Sequence, residues 1–192
     1  MAFLTSFRKE MTRKKGPWTV QETVEKYRNA YFSVLEETVR TPEDKPGTFS
    51  TILLKPGISV LALDEHQNVY LTKEYRYAIE RDSIEVVSGG VDENESTLAC
   101  ARRELREEAG IEAHDWLSLG VVDPLTSILR SPAELFLARN LTFVEPQTEE
   151  TEIIELIKTS LHDSVGMVMD GQITHAPSCV LILKAYVLLT SS

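Results

Sequence analysis

Cysteine is scarce in this chain: Cys100 and Cys179 are the only two. They build neither a disulfide framework nor a zinc-ligand spacing. Cys100 falls in a helix-patterned stretch and Cys179 in an apolar run, so both read as reduced core residues. Long hydrophobic runs are missing too, which excludes a bilayer-crossing helix. The longest candidate, Val180 to Leu189, is interrupted by Lys184. Basic charge is short, with 20 Lys and Arg against 30 Asp and Glu for a formal net charge of -10. That balance argues against a basic surface for nucleic acid. An acidic protein that handled phosphates would need a local positive charge, and bound metal ions are the natural source. The opening MAFLTSFRKEMTRKKG mixes apolar and basic residues without a continuous apolar h-region or a convincing cleavage site. Residues 1–16 are therefore read as a flexible terminus, with the cytoplasm as the expected location and no membrane partner. Internal repeats and low-complexity segments are lacking. His66, His114, His162 and His175 do not cluster, show no zinc spacing, and read as surface or local hydrogen-bonding residues.

What is present is the pattern of a soluble globular chain of 192 residues, 42% hydrophobic and 26% charged. Residues 17–55 hold short strand-like pieces, Tyr31 to Leu35 and Phe49 to Leu54, punctuated by Pro42, Pro46 and Gly47. They read as a small N-terminal β extension, and residues 56–192 as the main domain. Strands are expected at Gly57 to Leu63, from Val69 into KEYRYAI, at Ile84 to Val87, Leu117 to Val122, Glu134 to Ala138 with Leu141 to Val144, and Ile153 to Ile157. Ser96 to Ala109 predicts a helix whose apolar face is Leu98, Ala101, Leu105 and Ala109, stopped by Gly110. Two further helices are expected, Leu161 to Met169 and one capped by Thr174 with Pro177 in its first turn. The order of elements gives an α+β, or αβα, arrangement.

The central helix carries the chemistry. Glu104, Glu107 and Glu108 stand three and four residues apart, which puts their carboxylates on one helical face. Like charges so placed cost helix stability unless something positive lies between them. A hard divalent cation meets that need, because carboxylate oxygens are its preferred ligands. Arg103 has the spacing to pair with Glu107, Glu95 lies on the loop or first turn, and Gly89 allows close backbone approach to a metal or a phosphate. On the string RELREE alone, a solvated charged face would be the ordinary reading.

The full segment GGVDENESTLACARRELREEAGI changes that reading. Gly89, Glu95, Arg103, Glu104, Leu105, Glu107, Glu108, Gly110 and Ile111 fall at the nine fixed positions of a 23-residue pattern that resembles the Nudix signature. The resemblance implies the Nudix fold, a mixed β-sheet sandwiched between helices, with the signature as a loop–helix–loop. It implies Mg²⁺ or Mn²⁺ held by Glu104 and Glu108, Glu107 as a further ligand or as base, and the backbone carbonyl of Ser88 as another ligand. Glu95 is then a structural charge partner of Arg103. A metal-dependent pyrophosphate hydrolase follows.

Beyond the signature, the chain is similar to the ADP-ribose pyrophosphatase branch over roughly residues 18–189, in Tyr27-Arg28-Asn29, KEYRYAI, IEVVSGG and SPAELFLARNL. Lys73, Ser88 and the position of Ser131-Pro132 depart from that branch. This second resemblance implies a homodimer joined through the N-terminal strands. Tyr31 and Phe32 are implied to stack on the base, or else are strand core residues. Arg76 is implied to contact substrate phosphates, or else forms a surface ion pair. Glu85 is implied as a substrate or metal-shell residue, Glu150 as base and Glu152 as a metal-shell residue. The expected substrate is ADP-ribose or another nucleoside diphosphate sugar. Hydrolysis of a different pyrophosphate (a GDP-sugar, a dinucleotide, an RNA cap) and a non-catalytic nucleotide sensor stand as alternatives.

Overall fold

The computed structural model describes residues 8–146 and 153–191, with side chains from residue 12 onward. The described residues divide into two compact units, residues 8–55 with 125–131, and residues 56–124 with 132–146 and 153–191.

The first unit is a sheet of β1 (Arg8–Lys15), β2 (Trp18–Arg28), β3 (Phe32–Arg40), β4 (Pro46–Leu54) and β10 (Leu129–Arg130), in the order β1-β2-β3-β4-β10. β1 to β4 are an antiparallel meander and β10 adds in parallel to β4. Residues 8–15, expected within a flexible terminus, form the first strand. The tie that sequence periodicity did not reveal is Glu37, 2% exposed, which accepts from Arg13 at 2.5 Å and Lys15 at 2.6 Å. Burial works against its charge, and the two cations outweigh burial and hold its carboxyl below the usual range.

The second unit is a seven-stranded mixed sheet between helices. Its main order is β12 (Glu155–Ser160), β6 (Asn68–Arg76), β5 (Gly57–Leu63), β11 (Ala133–Phe143) and β9 (Ile111–Val122). β7 (Arg81–Glu85) pairs with β6 and β8 (Val87–Gly90) with β5. β5 and β11 run parallel while the neighbouring pairs are antiparallel. Strand alternation explains the layers. Ile58, Val60 and Ala62 of β5, with Phe136 and Ala138 of β11, pack under α1 (Thr97–Ala109), meeting Cys100, Ala101, Leu105 and Ala109. Leu61 and Leu63, with Leu135 and Leu137, face the other way. They are covered by Leu161 of α2 (Leu161–Met169) and by Leu181, Ile182 and Ala185 of α3 (Ala176–Thr190). This is the αβα sandwich expected from the sequence.

Several boundaries differ from the expected ones: the single strand expected over Ile84 to Val87 is divided between the end of β7 and the start of β8. The strand expected at Leu117 starts at Ile111, directly after α1, and that expected at Ile153 starts at Glu155. Helix α3 is capped at His175, and Thr174 instead accepts a hydrogen bond from Arg81 at 3.0 Å. No helix among the described residues is long and apolar enough to cross a membrane.

Candidate active site

Helix α1 is fixed at both ends by its own sequence. Ser96 is the N-cap, its hydroxyl accepting from the Ala99 N–H at 3.2 Å. At the other end Gly110 takes φ +62°, and its N–H reaches the carbonyls of Arg106 and Leu105. A Cβ there would lie 2.5 Å from the Val144 carbonyl oxygen, so position 110 needs glycine for space as well as for conformation.

The acidic face is organised around one guanidinium. Arg103 donates to both oxygens of Glu95, at 3.0 Å each, to Glu104 at 2.8 Å and to Glu107 at 3.1 Å. Glu95 also accepts from the Asp92 N–H at 3.1 Å, closing the turn that leads into the helix. Its hydrogen bonds from Arg103, ahead of the opposing effect of burial, bring its carboxyl down to about 2. Arg103 is pushed above its ordinary range chiefly by Glu95, then by Glu104 and Glu107. The nearby Cys100 thiol is pushed up to about 12, first by burial and then by the negative field of Glu95 and Glu104. It is a buried packing residue with no nucleophilic character.

Gly89, at the end of β8, makes room for this cluster. A Cβ at that position would lie 2.2 Å from Glu104 Cδ and Oε1, so the Glu104 carboxylate rests where any other side chain would begin. The donor chemistry suits a hard divalent ion, with carboxylates at one, four and five residues along the helix from Arg103. In this structure Arg103 supplies the positive charge for Glu104 and Glu107. Among the described residues no three His, Cys, Asp or Glu side chains already converge as a metal cage.

A second, more buried network lies in the same unit. Glu85, 6% exposed at the end of β7, receives a two-point contact from Arg76, at 3.1 and 2.9 Å. Arg76 also meets Glu74 at 2.7 Å. Burial works against the Arg76 charge, but Glu85, Glu74 and Glu108 together raise it above its ordinary value. His175 Nδ1 stands 3.5 Å from Glu85 and 2.8 Å from the Ser178 hydroxyl, which accepts from the Val86 N–H at 3.0 Å. In sequence His175 is one of four scattered histidines. Its only signal was its place two residues before Pro177, at the mouth of a helix.

The other candidate residues are dispersed. Ser88 pairs its hydroxyl with Ser59 at 3.0 Å and donates to the Val86 carbonyl. Tyr31 is 79% exposed at the β2–β3 turn of the first unit, where the Asn29 side chain accepts from the N–H groups of Tyr31 and Phe32 at 2.8 Å each. Phe32 opens β3 and stacks on Tyr27 with ring centroids 5.4 Å apart. Glu150 and Glu152 lie outside the described residues.

The NUDIX domain pattern matches residues 53–163. The chain belongs to the Nudix hydrolase family. As a Nudix protein it is 24% identical over 148 residues to the ADP-ribose pyrophosphatase of Bacillus subtilis (strain 168), covering 76% of this chain and 80% of that one. It is 24% identical over 165 residues to the ADP-ribose pyrophosphatase of Mycobacterium tuberculosis (strain ATCC 25618 / H37Rv), covering 84% and 79%. A methanol dehydrogenase activator of Bacillus methanolicus matches at 24% over 136 residues, 68% of this chain and 72% of its own. Among solved structures, that of an ADP compounds hydrolase superposes with a TM-score of 0.80 at 18% identity, covering 94% of this chain and 98% of that one. This last likeness establishes the Nudix fold. Nudix hydrolases generally use divalent metal ions, and the acidic face of α1 is the part of this chain suited to one.

Proposed function

We propose that this Nudix hydrolase cleaves the pyrophosphate bond of ADP-ribose or a related nucleoside diphosphate sugar, releasing a nucleoside monophosphate and a sugar phosphate. The observation that carries the reading is the Glu104 carboxylate seated on Gly89, with Glu107 and Glu108 on the same helical face. The ADP-ribose pyrophosphatases among its relatives support the substrate class.

A pyrophosphate repels an attacking water by its own negative charge, so the site must lower that charge. Mg²⁺ or Mn²⁺, when bound, supplies neutralisation and acidifies a water. Glu104 and Glu108, with Glu107 and the Ser88 carbonyl, are the groups that would hold it. Water attacks one phosphorus, the bond from that phosphorus to the bridging oxygen breaks, and a carboxylate takes the proton. Glu107, Glu108 and Glu150 are the candidates for that role, with Glu152 beside the metal. Arg76 is the phosphate-binding candidate. Its contact with Glu85 fixes the guanidinium, and its more open partner Glu74 is the one a phosphate would replace. Tyr31 and Phe32 are the candidates for stacking on the base, and the sheet of the first unit is the candidate for a homodimer interface, which light scattering tests.

The deciding experiment is a panel of ADP-ribose, GDP-sugars, dinucleotides and capped RNA incubated with Mg²⁺, the products separated by chromatography. AMP and ribose 5-phosphate from ADP-ribose, formed well above the other turnovers, is the expected result. Preferential cleavage of another class would overturn the substrate assignment, and binding without turnover of any would favour a sensor.

A further inference from the structure

On its other side, α1 carries an arrangement of opposite sign. Arg102 and Arg106 stand one turn apart on the helix and line a cavity of about 460 Å³ with Trp116 and His114 of β9. The volume is that of a small-ligand site. Two arginines at this spacing repel one another, as the carboxylates do on the acidic face. Arg102 lies over the Trp116 ring, 5.9 Å from its centroid, so the aromatic face holds the guanidinium at the cavity wall. Trp116 is itself anchored by its indole N–H, which donates to the Ala113 carbonyl at 2.9 Å. Arg106 meets Glu112 at 3.4 Å, and among the described residues no carboxylate pairs with Arg102. Arg103 also lines the cavity, but its donors are committed to Glu95, Glu104 and Glu107. In a chain with a net charge of -10, two arginines braced by an aromatic wall around a cavity make a local positive site.

We propose that this cavity binds a small phosphate-bearing anion, at a place separate from the acidic face of α1. Paired guanidinium groups match phosphate oxygens in geometry and charge, and an anion between Arg102 and Arg106 removes their mutual repulsion. Inorganic phosphate, a sugar phosphate and a nucleoside monophosphate share this chemistry.

The test uses Trp116 as reporter, in a Trp18→Phe background that leaves it the only tryptophan. The protein is kept in EDTA, so that neither a divalent ion nor turnover contributes and the result does not depend on the proposed hydrolysis. Inorganic phosphate, ribose 5-phosphate and AMP are titrated separately against sodium chloride at matched ionic strength. A saturable fluorescence change is expected below about 10 mM for at least one of them. The rank order shows whether the phosphoryl group alone is read or the sugar and base as well. Arg102→Ser with Arg106→Ser weakens the binding about tenfold or more. Glu112→Gln, which removes the competing carboxylate while leaving the arginines in place, tightens it about threefold. Arg76→Ala leaves it unchanged. The proposal is overturned if no response exceeds the chloride control, if binding survives the double serine variant, if Glu112→Gln binds no tighter, or if Arg76→Ala abolishes the signal.

Discussion

The carboxyl end of Glu104 occupies the space in which a side chain at position 89 would start, 2.2 Å from an ideal Cβ on Gly89. Gly89→Ala therefore displaces Glu104 and little else. The obstructing atoms are the far end of a flexible side chain, so the variant is expected to fold, with a melting temperature within about 4 °C of the native protein. Turnover should fall about tenfold or more, because a misplaced ligand or positioning group costs far more in rate than in stability. Native kcat in a folded Gly89→Ala protein would show that Glu104 does not act from this position.

Glu108→Gln keeps the size of the side chain and removes its charge. A carboxylate that binds a metal or takes a proton is expected to contribute about 10²- to 10⁴-fold to the rate. The variant should lose activity on that scale while its melting curve stays close to native. Steady-state kinetics across Mg²⁺ concentrations separate the two roles. Partial recovery at high Mg²⁺ marks a ligand, and none marks a base. Near-native turnover would remove Glu108 from the site.

Arg103 joins Glu95 through Nε and Nη2 and both Glu104 and Glu107 through Nη1, a set of contacts that suits a planar guanidinium fork. Arg103→Ala leaves these carboxylates facing each other in a partly buried place. With Arg103 32% exposed, the expected cost is about 1–3 kcal/mol, below that of a fully buried pair. Arg103→Lys should recover part of it. Mg²⁺ should raise the melting temperature of Arg103→Ala more than that of the native protein, since the ion then takes over the charge that Arg103 supplied to Glu104 and Glu107. Equal shifts would argue against an ion on this face.

The sequence made the site helix readable because its requirements are local. Ser96 to Gly110 repeats its apolar residues at helical spacing and ends in glycine, and the carboxylate spacing follows from that period alone. Gly57–Leu63 is readable as a strand from its apolar run, but the run is buried on both faces, and which residues meet which helix layer emerges only from the packing. Long-range pairings were not readable either. Glu37 looks like a surface residue in sequence, and only sheet register brings Arg13 and Lys15 to it. His175 lies ninety residues from Glu85, and its approach depends on where α3 packs. Arg102 and Arg106 read as ordinary exposed helix residues until β9 sets Trp116 beside them. The edge strand β1 is not legible in sequence, because a run rich in Lys and Arg carries no apolar alternation.

The ionisable groups around Arg103 and Glu85 also fix how stability should depend on pH. Arg103 holds Glu95 down to about 2, against 4.5 for a free glutamate. Such a group contributes stability that is complete above pH 4.5 and is lost as pH falls toward 2, because the unfolded chain takes the proton first. Glu85 has the same sign: burial raises its carboxyl, but Arg76 and His175 outweigh burial and hold it below the ordinary value. His175 is lowered from 6.5, mainly by burial and further by Arg76. It resists protonation when folded, so as pH drops below 6.5 the unfolded chain gains a proton that the folded one refuses, and stability again declines. All three groups act in one direction. The melting temperature should be level above about pH 7, begin to fall near pH 6.5 through His175, and fall more steeply below pH 4.5 through Glu95 and Glu85. His175→Gln should remove the first decline and leave the second, whereas Glu95→Gln should blunt only the second. Scanning calorimetry of the three proteins from pH 8 to pH 3.5 distinguishes these. A native profile that rises as pH falls through 6 would mean that His175 is protonated in the fold, with the Glu85 charge prevailing over burial.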